Sequence, residues 1–429
     1  MSAMRKVLIL SRYFPPMFDV GGKRAYRFAR YLPEHGWRAV VLTGKIPERR
    51  PVDDTPLRLP EGTRVERIYE PSWFREPTGR PSDGTIAKPV RSPDPAAKPK
   101  RRRLLGLPVG PDIALLPHVV REGVRLGRRE GVDAVFATSS PYAMLVHGQQ
   151  IAKRLGVPLI LDLRDPWTLN FFQQRRARWA LAMDRRIEAR LFETADRVIL
   201  NCETALAAYR ALYPDLPKNR LTAIRNAFDP ADQPTTPEPS SRAADEPLHL
   251  LHFGNCYGPR RVETMLHAMA ELRRERPDAP PVLLENLGRV GTADLELAER
   301  LGLSESFRHG VFVPFAEGLE RLARADLAVL VAYGDETLYI PAKLYDYLLA
   351  RAPIACISQP GELADIVEGT GAGKSIRPGD VAGARALLEA AIDARAEGRR
   401  AFTPDEDALR SFGAPATARA LAGLLDAVL

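Results

Sequence analysis

The run Ile340-Pro341-Ala342-Lys343-Leu344-Tyr345-Asp346-Tyr347-Leu348 carries the densest chemistry in the chain. Proline is favoured in the first turn of a helix, where its missing N–H costs nothing, so Pro341 predicts a helix start. Lys343 then falls in the first turn, the end that the macrodipole already makes positive. A lysine there is best explained by an anion bound at the helix start. Asp346 follows three residues on, on the same side of the helix. A cation and a carboxylate at one helix mouth suit a ligand with both phosphate and hydroxyl groups, such as a nucleotide sugar.

The elements around this run set the frame that positions it. The chain opens with an apolar strand, Val7–Ser11, then a loop with Pro15-Pro16 and Gly21-Gly22, a helix over Lys23–Leu32 and a second strand at Ala39–Thr43. This strand–loop–helix–strand order is the first half of a doubly wound parallel sheet. The alternation continues through strands at Ala134–Ala137, Leu159–Asp162, Arg197–Leu200 and Leu221–Arg225. It restarts at His249–Phe253 and runs on through Val282–Glu285, Val311–Val313, Leu327–Val331 and Ile354–Ile357. Residues 74–110, rich in Pro, Gly and basic side chains, read as a mobile loop. Residues 229–247 read as a linker. The expected organisation is a first domain over 1–228, a second over 248–404, and a C-terminal helix within 405–429 packing back on the first.

At 429 residues, two domains are the default. With 45% hydrophobic and 27% charged residues the chain is of the globular class, and no apolar run reaches membrane-span length. Its three cysteines are far apart, with neither metal spacing nor a disulfide framework, so a cytoplasmic setting is expected. The net charge of +8 suits phosphates or an anionic membrane surface; nucleic acid is disfavoured because no recognised binding module is present.

Several segments add candidates. Gly21 and Gly22 open a helix, where backbone N–H groups can approach a phosphate; the same pair could simply serve a tight turn. The turn lacks GxGxxG, which argues against a dinucleotide dehydrogenase. Arg164 and Asp165 follow a strand end, where ligands gather in open sheets; they either meet a ligand or cap the loop. Arg260 and Arg261 follow Gly254-Asn255, and a guanidinium matches a phosphate face. His147 is either a ligand contact or a buried helix histidine. Phe171, Phe172, Arg175, Arg176, Arg178, Trp179, Arg185 and Arg186, with the basic run Lys98–Arg103, form cationic, apolar-edged segments of the kind that bind anionic bilayers.

Taken together, YFPP at 13–16, GG at 21–22, YLPEHGW at 31–37, VVLT at 40–43, LDLRDPW at 161–167 and ETADRVI at 193–199 resemble the family 4 glycosyltransferases. IRNAFDP at 224–230, HFGN at 252–255 and IPAKLYDYL with API extend the resemblance over nearly the whole chain. It implies a GT-B fold: α/β, with two Rossmann-like doubly wound domains facing across a cleft. It implies transfer, with retention of configuration, from a nucleoside-diphosphate sugar to a hydroxyl acceptor; the cationic, apolar-edged segments add the expectation of a lipid-linked saccharide of surface polysaccharide as acceptor, at the inner membrane face. No metal or other cofactor is expected. The resemblance puts the donor diphosphate on Arg260 and Lys343 and at the Gly21-Gly22 loop, the ribose on Asp346, and the donor sugar near His147. Asp165, Asn255, Arg261, Glu336 and Thr337 complete the candidate set. The family's pair of acids is incomplete here: Leu338 stands where the first would fall, with Asp335 and Glu336 just upstream. That departure keeps two other readings open, a nucleotide-sugar epimerase and a non-catalytic sugar-nucleotide-binding scaffold.

Overall fold

The computed structural model describes residues 4–16, 20–45, 58–68, 107–170, 173, 176–235, 246–256, 260–310, 313–332 and 338–429. Glu336 and Thr337, Phe171, Phe172 and Arg175, the 98–103 basic run, most of the 74–110 segment and the middle of the 229–247 segment lie outside them.

The chain divides into two units. One runs to Ala227 and is completed by Gly413–Leu429; the other holds Phe228–Phe412. In the first, strands β1 (Arg5–Ser11), β2 (Trp37–Gly44), β3 (Arg64–Ile68), β4 (Ala134–Thr138), β5 (Leu159–Leu163), β6 (Arg197–Leu200) and β7 (Leu221–Ala223) form one parallel sheet in the order 3-2-1-4-5-6-7. In the second, β8 (Leu248–Phe253), β9 (Val282–Leu287), β10 (Phe307–His309), β11 (Leu327–Val331), β12 (Ile354–Ile357) and β13 (Gly373–Ile376) repeat the scheme in the order 10-9-8-11-12-13. Both are doubly wound α/β sheets with the strand order reversing beside the first strand, between β1 and β4 and between β8 and β11. The central strands are buried on both faces, which is why VLIL and LAVLV read as continuous apolar runs.

Three edge strands escape an apolar search: β3, with the sequence RVERI, β10, with FRH, and β13, with GKSI. The strand expected at Val311–Val313 instead falls at Phe307–His309, which pairs with Leu284–Asn286 of β9; Val313 is not in a strand, and Val311 and Phe312 lie outside the described residues. The first helix starts at Val20, not Lys23, so Gly21 and Gly22 lie inside its first turn.

The first core gathers Phe28, Trp37, Phe136 and Ile160 with Leu421 and Leu425 of the helix Ala414–Asp426. That helix packs on Val20–Tyr31. Asp426 accepts from the Trp37 indole at 2.9 Å and from Arg5 at 2.8 Å.

A buried ion pair ties the first helix to the sheet. Asp162, inside the apolar strand LILDL, is fully buried, and Arg24 grips it with two hydrogen bonds of 2.9 and 2.7 Å. Thr138 donates to the same carboxylate at 2.6 Å. Arg24 also donates to the carbonyls of Ile224 (2.9 Å) and Arg225 (2.7 Å). Breaking such a pair strands a charge in the interior. Asp162→Asn should therefore cost about 3–5 kcal/mol of unfolding free energy in urea titration. A loss under about 1 kcal/mol would mean the carbonyls alone satisfy Arg24.

Candidate functional site

In the second unit, the end of β8 and the start of the Ala342–Leu349 helix meet beside the strand-order reversal. Pro341 is the N-cap of that helix, extended at φ −56°, ψ 132°, one position earlier than a first helical residue. Lys343 stands in the first turn, and no acidic residue accompanies it there. Its Nζ lies 2.8 Å from Nε2 of His252 and 3.3 Å from the carbonyl oxygen of Asn255. Both are neutral acceptors, and no ion pair of Lys343 occurs among the described residues, so its charge remains available. Burial pushes the amine down to about 8; the Cys256 thiol opposes this, the Arg260 guanidinium adds to it, and the Asp346 carboxylate opposes it. Lys343, Arg260 and Asp346 are thus within electrostatic reach of one another.

The backbone is shaped to admit the lysine. Gly254 has φ +132°, and a Cβ there would stand 2.3 Å from Lys343 Cε. Only glycine fits both demands. Asn255 is held in turn: its Oδ1 accepts from Arg289 N at 2.9 Å. Tyr347, one turn beyond Lys343, accepts from Phe253 N at 2.9 Å and donates to Val329 O at 3.2 Å, which clamps the helix to the end of β8.

The two arginines part company. Arg261 is bonded to the buried Asp294 at 3.0 Å and to Glu263 at 2.6 Å, a structural pairing. Arg260 reaches the Tyr339 hydroxyl at 3.4 Å, on the approach to the Lys343 helix. The structure therefore brings together Lys343, Arg260, Asn255 and Asp346, and turns the Arg261 guanidinium to carboxylates.

In the first unit, the candidates lie along the carboxyl ends of the strands. Gly22 packs against the Phe14 backbone; a Cβ would come within 3.2 Å of it, so close approach already accounts for one glycine of the pair. Asp165 is exposed, on a loop that is tightly fixed. Arg164 donates to the carbonyls of Ser139 and Ser140. Trp167 stacks on Tyr142 at 5.0 Å, and Tyr142 donates to Pro166 O at 2.8 Å. Beneath it, the buried Glu188 accepts from Thr168 N (3.0 Å), Thr168 Oγ1 (2.7 Å), Tyr209 (3.1 Å) and Tyr213 (2.8 Å). His147, in the helix Ala143–Leu155, is fully enclosed, and neither ring nitrogen has a hydrogen-bond partner among the described residues. In this conformation a ligand reaches it only by displacing what covers it.

Sequence reasoning passed over four of these groups: Arg24, Asp162, Glu188 and, as a functional residue, His252. The available signal was a polar residue inside an otherwise apolar strand, which must find a partner. Asp162 in LILDL and His252 in LHLLHF both carry it.

His147 generates a pH test. Burial, with the Arg12 charge, pushes its imidazole from 6.5 down to about 4. Between those values the unfolded chain binds the proton and the folded chain does not, so stability falls as pH drops through that window. His147→Leu should make the decline in unfolding free energy from pH 6.5 to 4.5 shallower by about 2–3 kcal/mol. His252, also depressed by burial and by Lys343, keeps its own share of the slope. An unchanged slope would show that His147 is protonated in the folded state.

Residues 21–227 match the glycosyl transferase 4-like domain family. No curated protein matches the chain in sequence. Solved structures similar in fold include sucrose-phosphate synthase from Thermosynechococcus elongatus, at TM-score 0.65 and 16% identity, covering 99% of this chain and 98% of that one. The HepE protein of Anabaena in complex with UDP has TM-score 0.62 and 17% identity over 98% of this chain and 100% of that one. A glycosyltransferase from Rickettsia africae has TM-score 0.62 and 9% identity over 99% and 98%. Residues 21–227 thus form a glycosyl transferase 4-like domain, and the chain as a whole has the two-sheet GT-B fold.

Proposed function

We propose that the chain is a retaining hexosyltransferase that moves a sugar from a nucleoside-diphosphate donor to a hydroxyl acceptor. The observation that carries this is the Lys343 ammonium, held at a helix N-terminus by neutral acceptors beside the strand-order reversal of the second sheet. A dianionic diphosphate is the complement such a site lacks. Lys343 supplies a point charge and Arg260 a planar fork, and both become more valuable as charge develops on the departing diphosphate. In this reading no metal ion or other cofactor is needed. Asp346 takes the ribose hydroxyls, and Asn255, Glu336 and Thr337 line the donor. The Gly21-Gly22 turn adds backbone N–H groups. Asp165 meets the acceptor, and His147, enclosed in this conformation, meets the sugar only once its cover is displaced. Arg261 acts at one remove, by fixing the loop that carries Arg260. UDP is the first donor nucleotide to try, because solved HepE complexes with UDP and with UDP-glucose share this fold.

The acceptor side suggests a membrane. No helix among the described residues is long and apolar enough to cross one. The helix Arg178–Thr194, however, exposes Trp179 (55%) and Met183 (40%). Arg178, Arg185, Arg186 and Arg190 are exposed on the same helix. Aromatic and thioether groups ringed by arginines fit an anionic bilayer surface, each charge near it adding about 1 kcal/mol. We therefore place the protein on the cytoplasmic face of a membrane, with a lipid-linked saccharide of surface polysaccharide as acceptor.

Thermal unfolding with UDP-, GDP- and dTDP-sugars tests the donor site. One nucleotide class should raise Tm by a few degrees at saturating ligand, and Lys343→Ala should remove most of the shift. Stabilisation by none, or an equal shift in the variant, refutes the donor site; epimer formation without transfer would indicate the epimerase instead. Flotation with phosphatidylglycerol vesicles tests the surface: the protein should rise with them, and Trp179→Ser with Met183→Ser should weaken this several-fold. A protein that stays at the bottom refutes membrane docking.

A further inference from the structure

Of the two neutral acceptors that hold Lys343, one is a buried side chain whose own role the donor reading leaves unassigned. His252 ends the apolar run of β8 and is 1% exposed. A buried imidazole needs both nitrogens accounted for. Nδ1 lies 2.7 Å from Val329 O, which can only accept, so Nδ1 carries the proton. Burial and the neighbouring Lys343 charge hold the ring well below its ordinary value, so it carries one proton only. Nε2 is therefore a bare lone pair, and the group 2.8 Å from it is the Lys343 amine. The chain of bonds has one direction: lysine donates to imidazole, and imidazole donates to the Val329 carbonyl.

We propose that His252 is the positioning residue of the donor site: its Nε2 accepts one ammonium proton while the Asn255 carbonyl accepts a second, leaving the third aimed at the diphosphate. This rests on the donor reading above. The choice of imidazole has a physical reason. A carboxylate in its place would hold the lysine equally well but would cancel the charge that must meet the phosphate. A solvated lysine would keep its charge but swing freely, losing the benefit of a pre-aimed donor. A neutral imidazole fixes the direction and preserves the charge. The sheet supplies the fixing point: the ladder between β8 and β11 pairs Leu250 with Leu327 and Leu251 with Ala328 and goes no further. The next carbonyl, Val329, takes His252 and Tyr347 instead. The groups facing the amine are Arg260, which disfavours its charge, and Cys256 and Asp346, which favour it. Losing the ammonium proton should therefore weaken nucleotide binding as pH rises through about 8.

Two measurements test this. In ligand-free protein, histidine 15N resonances report the tautomer directly. At pH 7, His252 should show a protonated Nδ1 and a bare Nε2. The Nε2 signal should move as Lys343 deprotonates, and Lys343→Met should abolish that movement. An Nε2–H tautomer or a doubly protonated ring overturns the proposal without reference to any nucleotide. UDP affinity is then compared by calorimetry among the unaltered protein, His252→Phe, His252→Gln, Lys343→Ala and the His252→Phe/Lys343→Ala double variant. His252→Phe should lose roughly tenfold at pH 7, while His252→Gln, which restores an acceptor, keeps most of the affinity. Without Lys343, His252→Phe should cost nothing further. Equal losses with and without Lys343 would make His252 a packing residue only and overturn the proposal. If no nucleoside diphosphate binds the unaltered protein while the tautomer is as described, the donor reading falls and the aiming role falls with it; the intact tautomer tells that failure from the others.

Discussion

A polar side chain inside a parallel strand has no water to turn to, and in each unit one such residue ties a helix to the sheet. In the first it is Asp162, whose two oxygens are taken up by Arg24 and Thr138. In the second it is His252, satisfied by Val329 and Lys343. Each partner comes from a helix in its first half: Arg24 from Val20–Tyr31, Lys343 from Ala342–Leu349. The buried group therefore fixes the entry of a helix relative to the sheet, at the point where the strand order reverses. Packing alone would leave that entry free to slide, because apolar contacts are non-directional.

The two devices differ in what they leave over. Arg24 is saturated, its donors turned to a carboxylate and backbone carbonyls, so it contributes order and little free charge. Lys343 meets only neutral acceptors and keeps its charge. Arg261 and Arg260 also take different partners. Adjacent in sequence and alike in chemistry, they diverge because Asp294, 1% exposed, requires a cation and Arg261 is the one that supplies it. The exposed Asp165 likewise owes its placement to buried groups behind it, the Glu188 carboxylate and the Tyr142–Trp167 stack. At each of these places a fully bonded interior group fixes the position of a neighbour closer to the surface.

The central strands are legible in the sequence, because a strand buried on both faces is apolar throughout; where the strand order reverses is fixed by the pairing. The edge strands RVERI, FRH and GKSI are not legible, since one neighbour and one covered face suffice for them. The first helix was read three residues short, because glycines lower helix propensity and the demand for close approach to Phe14 is a tertiary fact. In the site, Lys343 was legible from the local rule that a cation is out of place at a helix start. His252 was visible only as part of a motif: its role depends on a carbonyl 77 positions away and an amine 91 positions away. Which of Arg260 and Arg261 is committed elsewhere was equally beyond local reading, being decided by Asp294.

The last helix has a consequence for how the chain comes into being. Ala414–Asp426 covers the helix that carries Gly21 and Gly22, and it supplies Leu421 and Leu425 to the first core. During synthesis that core stays open until the ribosome has made the whole of the second unit. The second unit, whose own cluster draws on Leu248 through Ile392, has no such wait. The part made first is thus finished last, and a nascent chain stalled anywhere before Gly413 exposes the apolar face of its first helix. That interval is when chaperone holdases would be expected to engage the protein.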